Sequence, residues 1–215
     1  MRLEGKTAII TGAGGDLGRG TALRLAEEGA RVVVNDIKLD RAEETVALVE
    51  KAGGEAIANA ADITDAEAVG AMVEQALSAW GQVDILVNNA GDIRDSLIAK
   101  MSEEAWDWVL DLNLKGSFLC TRAVAPHMIE RTSGRIVNLS SLAYKGNIGQ
   151  ANYVAAKSGI VGLTQASGLE FARYGISVNC VAPGLIDTPK TDTLDQATRE
   201  RLVRLTPMRR MGDIV

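Results

Sequence analysis

The chain is short of the residues that several kinds of site require. It has one histidine, His127, which excludes any mechanism needing two and removes most zinc sites, so no metal centre is expected. Its two cysteines, Cys120 and Cys180, stand far apart in apolar stretches. That is the pattern of small core residues in a reduced, cytoplasmic protein, not of a disulfide framework. Only 4 prolines occur, and 47% of residues are hydrophobic, which excludes a collagenous or disordered chain. There is no basic excess: 23 Lys and Arg stand against 28 Asp and Glu, a net charge of -5 that argues against a nucleic-acid surface. No stretch reads as a secretory signal or a membrane span, because Met1-Arg2-Leu3-Glu4-Gly5-Lys6 leads almost directly into a short apolar run. The 215 residues suit one domain, 1–215, long enough to bury its own core.

What is present is a rhythm of short β-branched runs alternating with longer amphipathic stretches. Runs 7–11, 31–35, 83–87, 135–139 and 176–181 read as strands, with a weaker one at 55–61. Between them, helices are expected at 17–28, at 40–51 capped by Asp40, and up to Trp80 from a Thr64 cap. Further helices are expected from a Ser102 cap to about 130 with a bend near Asn113, at 152–174, and at 192–205. Strand–helix alternation at this spacing demands parallel strands with right-handed crossovers, hence a doubly wound, three-layer α/β/α sheet of the Rossmann type. No final strand is legible after the last helix, so the fold either finishes early or the sequence is a fragment.

Between the first strand and first helix lies Thr11-Gly12-Ala13-Gly14-Gly15-Asp16-Leu17-Gly18. Glycines there let the backbone turn tightly and approach a pyrophosphate, whose charge suits the free N–H groups and dipole of a helix N-terminus. A glycine cluster also serves plain tight turns; its strand–turn–helix setting is what points to a dinucleotide. Asp36 ends the second strand, where a carboxylate accepts hydrogen bonds from ribose hydroxyls and repels a 2′-phosphate. No Lys or Arg occupies the glycine turn, so NAD is expected rather than NADP, although Lys38 follows two residues later. The plainer reading of Asp36 is a helix cap.

Tyr153 and Lys157 are four residues apart and share one helix face. A phenol ionises near pH 10, so a tyrosine base at neutral pH needs a neighbouring cation, which an ammonium one turn away supplies. The preceding strand ends in Ser140-Ser141, and in open parallel sheets ligands bind beyond the carboxyl ends of the strands.

Together these residues resemble the short-chain dehydrogenase/reductase family over essentially the whole chain. The glycine turn resembles its T-G-x-x-x-G-x-G; Asn88-Asn89-Ala90-Gly91 is its N-N-A-G; Asn113, Tyr153 and Lys157 match its catalytic positions; and Pro183-Gly184 with Thr188 matches the segment after its sixth strand. The resemblance implies that Tyr153 exchanges the substrate proton, that Lys157 holds the nicotinamide ribose, and that a serine orients the substrate oxygen. Asn113 would hold a relay water. Gly12, Gly14, Asp16, Leu17, Gly18, Asp36, Asp62, Ile63, Asn89, Ala90, Gly91, Tyr153, Lys157, Pro183, Gly184 and Thr188 would then contact the cofactor.

Three departures from the family pattern bear on this. Asp16 stands where the motif places its second glycine, and weakens cofactor binding unless it turns away or pairs with Arg19. The serine is ambiguous: counting back from Tyr153 gives Ser140, whereas aligning the strand gives Ser141 with a one-residue deletion in the following loop. Loops absorb deletions more readily than strands, which favours Ser141. Finally, family members usually continue with another helix and a seventh strand.

Within the family the likeness is to 3-oxoacyl-(acyl-carrier-protein) and acetoacetyl-coenzyme A reductases, carried by Arg94-Asp95-Ser96-Leu97, Met101-Ser102-Glu103-Glu104, Asn113-Leu114-Lys115-Gly116 and Gly149-Gln150-Ala151-Asn152-Tyr153. It implies reduction of a 3-oxoacyl thioester, a homo-oligomer (tetramer or dimer), and an acidic carrier protein docking on Arg131 and Arg173. Asp36 conflicts with the NADPH use common among such reductases. It keeps open an NAD-dependent secondary-alcohol, sugar or steroid dehydrogenase, and Asp16 keeps open an inactive dinucleotide-binding protein. Trp106 and Trp108 cannot share one helix face, so at most one of them belongs to a core.

Overall fold

The computed structural model describes residues 1–214. Six strands form one parallel sheet: β1 (Thr7–Ile10), β2 (Arg31–Asn35), β3 (Glu55–Asn59), β4 (Ile85–Asn88), β5 (Gly134–Leu139) and β6 (Ile176–Val181), in the order β3-β2-β1-β4-β5-β6. Every residue of β1 and β4 is buried, which is why both read as continuous apolar runs. The connecting helices are α1 (Asp16–Glu27), α2 (Leu39–Lys51), α3 (Ala66–Trp80), α4 (Glu103–Leu110), α5 (Gly116–Glu130) and α6 (Ala151–Phe171), with α7 (Pro189–Asp192) and α8 (Gln196–Leu205) after β6.

Alternation along the strands divides the core into two layers. Ala8, Ile10, Val32 and Val34 meet Ala22 and Ala26 of α1 and Ala42 and Val49 of α2. Ile9, Val33, Leu86 and Ile136 meet α3 through Val69 and Met72, and α5 through Leu119 and Met128. The direction of winding reverses between β1 and β4, and a crevice opens there at the carboxyl ends of the strands.

Buried amides fix α5 and α6 to that crevice. Asn88 and Asn138 are paired across β4 and β5. Asn88 Nδ2 donates to Asn138 Oδ1 at 2.8 Å and to Thr121 Oγ1 of α5 at 3.1 Å, while Asn138 Nδ2 donates to Thr164 Oγ1 of α6 at 2.9 Å. Such a network is specific because each lost bond leaves a desolvated polar atom.

Several boundaries differ from the expected ones, each for a local reason. Helix α2 begins after Lys38, whose N–H is taken by the Asp36 carboxylate at 3.0 Å, so Asp40 is not its cap. Asp65, not Thr64, caps α3 by accepting from Glu67 N at 2.8 Å. β3 stops at Asn59 because its side-chain oxygen accepts from Ala61 N and turns the chain. β4 begins at Ile85 and runs to Asn88, two residues later at its start than the apolar run. The expected helix 192–205 is two, since Asp195 starts α8 by capping Thr198 N at 2.9 Å. Ser102 does cap α4, and the bend at Asn113 is one widened turn over 111–115. Cys120 is buried, but Cys180 on the outer strand β6 is only half-buried.

Arg131 and Arg173 precede β5 and β6, at the end of the sheet opposite the crevice. Arg131 is engaged with buried Asp84 at 2.9 Å. Burial pushes the Asp84 carboxyl up, but the Thr7 N–H and the Arg131 guanidinium outweigh it and hold the group below the usual carboxylate range. The docking patch expected of this pair is therefore reduced to the exposed Arg173, stacked on Tyr174. Among the described residues no helix is long and apolar enough to cross a membrane.

Replacing Asn138 by alanine removes an acceptor from Asn88 and a donor from Thr164 in a dry environment. A loss of about 2–4 kcal/mol is expected, read as a lower midpoint in chemical denaturation.

Candidate active site

The glycine turn is built from contacts that a side chain would block. Gly12 has φ +63, and a Cβ there would meet Ala90 Cα at 2.8 Å. A Cβ on Gly18 would strike the Gly12 carbonyl and the Asn89 amide. Thr11 Oγ1 accepts from Asn89 N and Ala90 N at 3.1 and 3.0 Å. In return Asn89 Nδ2 donates to Thr11 O at 2.9 Å and Gly12 O at 3.1 Å. Asn89 thus lines the cleft while its amide is spent on tying β4's N-N-A-G to the turn. Gly15 precedes α1 and offers no side-chain cap, so the first N–H groups of the helix are free to meet a ligand.

A cleft of about 870 Å³ runs along the carboxyl ends of the strands. Of the expected cofactor residues, Gly12, Asp16, Leu17, Gly18, Asp36, Asp62, Ile63, Asn89, Ala90, Gly91, Pro183, Gly184 and Thr188 line it, together with Ser140, Ser141, Tyr153 and Lys157. Gly14 does not. It backs onto α2, where a Cβ would meet Arg41 Cβ and Asp36 Oδ2, both at 2.7 Å. Asp16 is not paired with Arg19, whose guanidinium goes to Glu44 and Gly14 O while its Nε goes to Thr45 Oγ1. Asp62 accepts from both N and Oγ1 of Thr64, which shapes the loop after β3.

Three further residues belong to the site though no sequence pattern assigned them a role there. Arg41 lines the cleft beside Asp36 and donates to Gly14 O at 3.2 Å. It reaches the turn from α2, out of sight of any local motif. Trp108 also lines the cleft, backed by the Arg94 guanidinium 4.0 Å above its ring. Asn152 is wholly buried and donates to Arg94 O and Ala105 O at 3.0 and 3.1 Å.

At the other end of the cleft the two serines separate. Ser140 Oγ donates to the Lys157 carbonyl at 2.8 Å and is buried. Ser141 faces Tyr153, and a hydrogen bond from it favours the ionised phenol. Burial pushes the Tyr153 phenol above its ordinary range, Ser141 pulls it back, and the carboxylates of Asp92 and Asp95 push it further up. Lys157 sits 5.5 Å from the Tyr153 ring centre and donates to Leu139 O at 2.8 Å. Its own burial brings it down to about 8. The amine lies beside the phenol as expected, but within the protein alone burial and the two carboxylates outweigh the Ser141 hydrogen bond.

Asn113 lies just behind the cleft wall. Its Nδ2 donates to Asp92 O and Val109 O, at 2.8 and 2.9 Å, while its buried Oδ1 has no partner. A Cβ on Gly91 would clash with that oxygen and come within 3.3 Å of Lys157 Nζ, so the absence of a side chain lets both groups close in on Gly91. A buried acceptor without a partner and a buried ammonium thus both abut Gly91.

A parallel sheet of this order, with a glycine turn entering α1 and a polar cleft at the switch point, defines a dinucleotide-binding α/β protein. The particular family follows: the chain belongs to the short chain dehydrogenase family, whose model matches residues 6–199. It is 46% identical over 213 residues to "(2S)-[(R)-hydroxy(phenyl)methyl]succinyl-CoA dehydrogenase subunit BbsD" of Thauera aromatica, covering 99% of this chain and 86% of that protein. It is 44% identical over 209 residues to the 3-oxoacyl-[acyl-carrier-protein] reductase FabG of Staphylococcus aureus, covering 96% and 85%. A crystal structure of NAD+-bound xylitol dehydrogenase superposes with a TM-score of 0.94 at 33% identity, covering all of this chain and 89% of that one. The family implies a nicotinamide dinucleotide. The free N–H groups of α1 and the glycines packed too closely to bear a Cβ fit such a group.

Asp16 is the residue that fits it least. Asp16→Gly is expected to tighten dinucleotide binding roughly three- to tenfold by titration of intrinsic or NADH fluorescence, with greater effect at low salt. It should cost about 0.5–1 kcal/mol of stability through the lost first-turn carboxylate and the added glycine.

Proposed function

We propose that this oxidoreductase reduces a 3-oxoacyl thioester to the 3-hydroxyacyl form. The observation that carries the reading is the meeting of Tyr153, Ser141 and Lys157 at one end of the cleft. Two similar proteins support the thioester, one named for a coenzyme A ester and one for an acyl-carrier-protein ester. When bound, the nicotinamide supplies the hydride in reduction and takes it up in oxidation.

The chain's own groups handle the proton and the geometry. Ser141 donates a hydrogen bond to the substrate carbonyl oxygen and holds it against the Tyr153 hydroxyl. Tyr153 gives its proton to that oxygen as the carbonyl carbon is reduced, so no free alkoxide has to form. Lys157, with donors beyond the one spent on Leu139 O, would hold the ribose hydroxyls of the cofactor and stabilise the phenolate left behind. Asn113 Oδ1 would hold a water through which Lys157 recovers a proton from solvent. Ser140, committed to the Lys157 carbonyl, takes no part in substrate binding and fixes the helix instead.

For the cofactor we favour NAD. Asp36 lies in the cleft wall with its second carboxylate oxygen toward Gly14, and a 2′-phosphate would be repelled there. Asp36 and the likeness to an NAD+-bound xylitol dehydrogenase also support a second reading, an NAD-dependent secondary-alcohol or polyol dehydrogenase. Assembly as a homo-oligomer is part of the first reading and draws support from exposed Phe118 beside Leu110, Leu114 and Leu163 on the outer face of α4–α6.

Tyr153→Phe is expected to lower kcat by about 10²–10⁴-fold and leave dinucleotide affinity within about twofold. Turnover of acetoacetyl-coenzyme A against simple ketones and polyols, with NADH and NADPH in parallel, checks the substrate and cofactor. A higher kcat/KM for a simple ketone than for the thioester would overturn the thioester assignment.

A further inference from the structure

Trp108 stands on α4 between two carbonyls that are tied to the reacting end of the cleft. One turn before it, Ala105 O accepts from Asn152 Nδ2 at 3.1 Å, and Oδ1 of the same amide accepts from Tyr153 N at 2.8 Å. Directly after it, Val109 O accepts from Asn113 Nδ2 at 2.9 Å. Asn113 Oδ1 abuts Gly91, as Lys157 Nζ does. The stretch of α4 that carries Trp108 is thus pinned to the segments that carry Tyr153 and Lys157, and all three side chains line one cleft.

The ring itself is held from its other side. The Arg94 guanidinium lies over it, 4.0 Å from the ring centre, and Arg94 O accepts from Asn152 Nδ2 at 3.0 Å. Both members of the stack therefore hang from one buried amide. A cation–π pair of this kind is weak, but it occupies one face of the indole and restrains its rotation. Trp80 is used differently, since its Nε1 donates to Glu55 at 2.6 Å; the Trp108 side chain makes no hydrogen bond among the described residues. What Trp108 offers the cleft is a flat apolar surface already fixed in place, so a ligand that covers it orders little on binding. Ile93 and Leu112 add apolar lining from the neighbouring loop and the widened turn.

We propose that Trp108 is a specificity-determining residue: its indole stacks on a flat apolar group borne by the reacting carbonyl carbon, so the cleft takes an aryl 3-oxoacyl thioester in preference to one whose ketone bears only methyl. The inference deepens the thioester reading of this cleft and rests on it for the other half of the substrate. A carbonyl held by Ser141 and Tyr153 carries two substituents. The thioester arm continues into a carrier far larger than the cleft and must leave by its mouth, so the second substituent is the one that meets the wall. Flat rings in offset contact gain attraction beyond the area they bury, whereas an alkyl group gains from area alone. An apolar wall with a few convergent polar groups at the reacting centre is the arrangement by which a pocket selects shape.

The test compares benzoylacetyl-coenzyme A with acetoacetyl-coenzyme A in the wild type, Trp108→Leu and Trp108→Phe. It reads kcat/KM for each thioester and, by calorimetry, the Kd of each. Leucine keeps an apolar, helix-favouring side chain and removes the flat surface, while phenylalanine restores a ring. The preference for phenyl over methyl, in turnover and in binding, should fall about three- to tenfold in Trp108→Leu and less than about twofold in Trp108→Phe. A preference that stays level or rises in Trp108→Leu overturns the proposal, and a rise would make the indole a barrier rather than a contact. If Trp108→Leu does not fold, Trp108→Met decides by the same sign. Failure of the thioester reading looks different: simple ketones are then turned over better than either thioester, and the preference for acetophenone over acetone tests Trp108 by itself.

Discussion

The site depends on one buried ammonium. Lys157 is 4% exposed, and a charge so far from water must be met by oxygen or it neutralises. The end of β5 supplies one carbonyl, that of Leu139. Beside it, Asn113 Oδ1, buried and without a partner, packs against Gly91 too closely for that residue to bear a Cβ. For Asn113 to stand there, the helix leading into α5 opens by one widened turn, and Asn113 Nδ2 is tied to Asp92 O. Strand β5, helix α6, the β4 loop and the widened turn are thus four answers to a single electrostatic demand. A side chain at Gly91 or a straightened turn would displace Asn113 Oδ1 from this neighbourhood.

The opposite end of the cleft presents a different balance. Asp16, Asp36 and Asp62 all face it, a field that disfavours phosphate groups and favours sugar hydroxyls. Arg19 and Arg41 are near, but both donate to the Gly14 carbonyl, and Arg19 is also neutralised by Glu44. The backbone N–H groups at the start of α1 carry no side-chain cap and stand open to an anion at this turn. That makes the glycine positions indispensable: an N–H donor works only at contact distance, and Gly12 and Gly18 are packed so tightly that any side chain would push the turn away.

Much of this was legible in the sequence, and the residues show where legibility ends. The strands were visible because burial on both faces produces unbroken apolar runs, as in Thr7–Ile10 and Ile85–Asn88. Caps were read less well. Asp36, Asp40, Thr64 and Asp65 are all competent acceptors, and which one meets a free N–H depends on the direction of the chain entering the helix. The two adjacent serines could not be told apart by composition, but successive residues point to opposite sides. Ser140 turns inward to the Lys157 carbonyl and Ser141 outward to the phenol. Arg41 was hidden because its guanidinium acts on a turn 27 residues earlier in the chain. The environment of the phenol was hidden for a related reason: helical spacing reveals Lys157, whereas burial and the loop carboxylates are properties of the folded surroundings.

Helical spacing also cannot explain why Tyr153 stays where it is. Gln150, the residue before α6, makes no side-chain cap, so the first turn of the helix is open to fraying. Asn152 compensates from inside. Its Oδ1 accepts from Tyr153 N at 2.8 Å, and its amide holds the carbonyls of Arg94 and Ala105. Every polar group of this wholly buried side chain is occupied, so it cannot rotate without stranding an atom of its own, of Tyr153, or of two other segments. The phenol is held in the cleft by this junction of loop, α4 and α6, and Asp95 of the same loop joins it by accepting from Gln150 Nε2. Position and electrostatic environment are therefore set together, because the loop that charges the site is also the loop that fixes it.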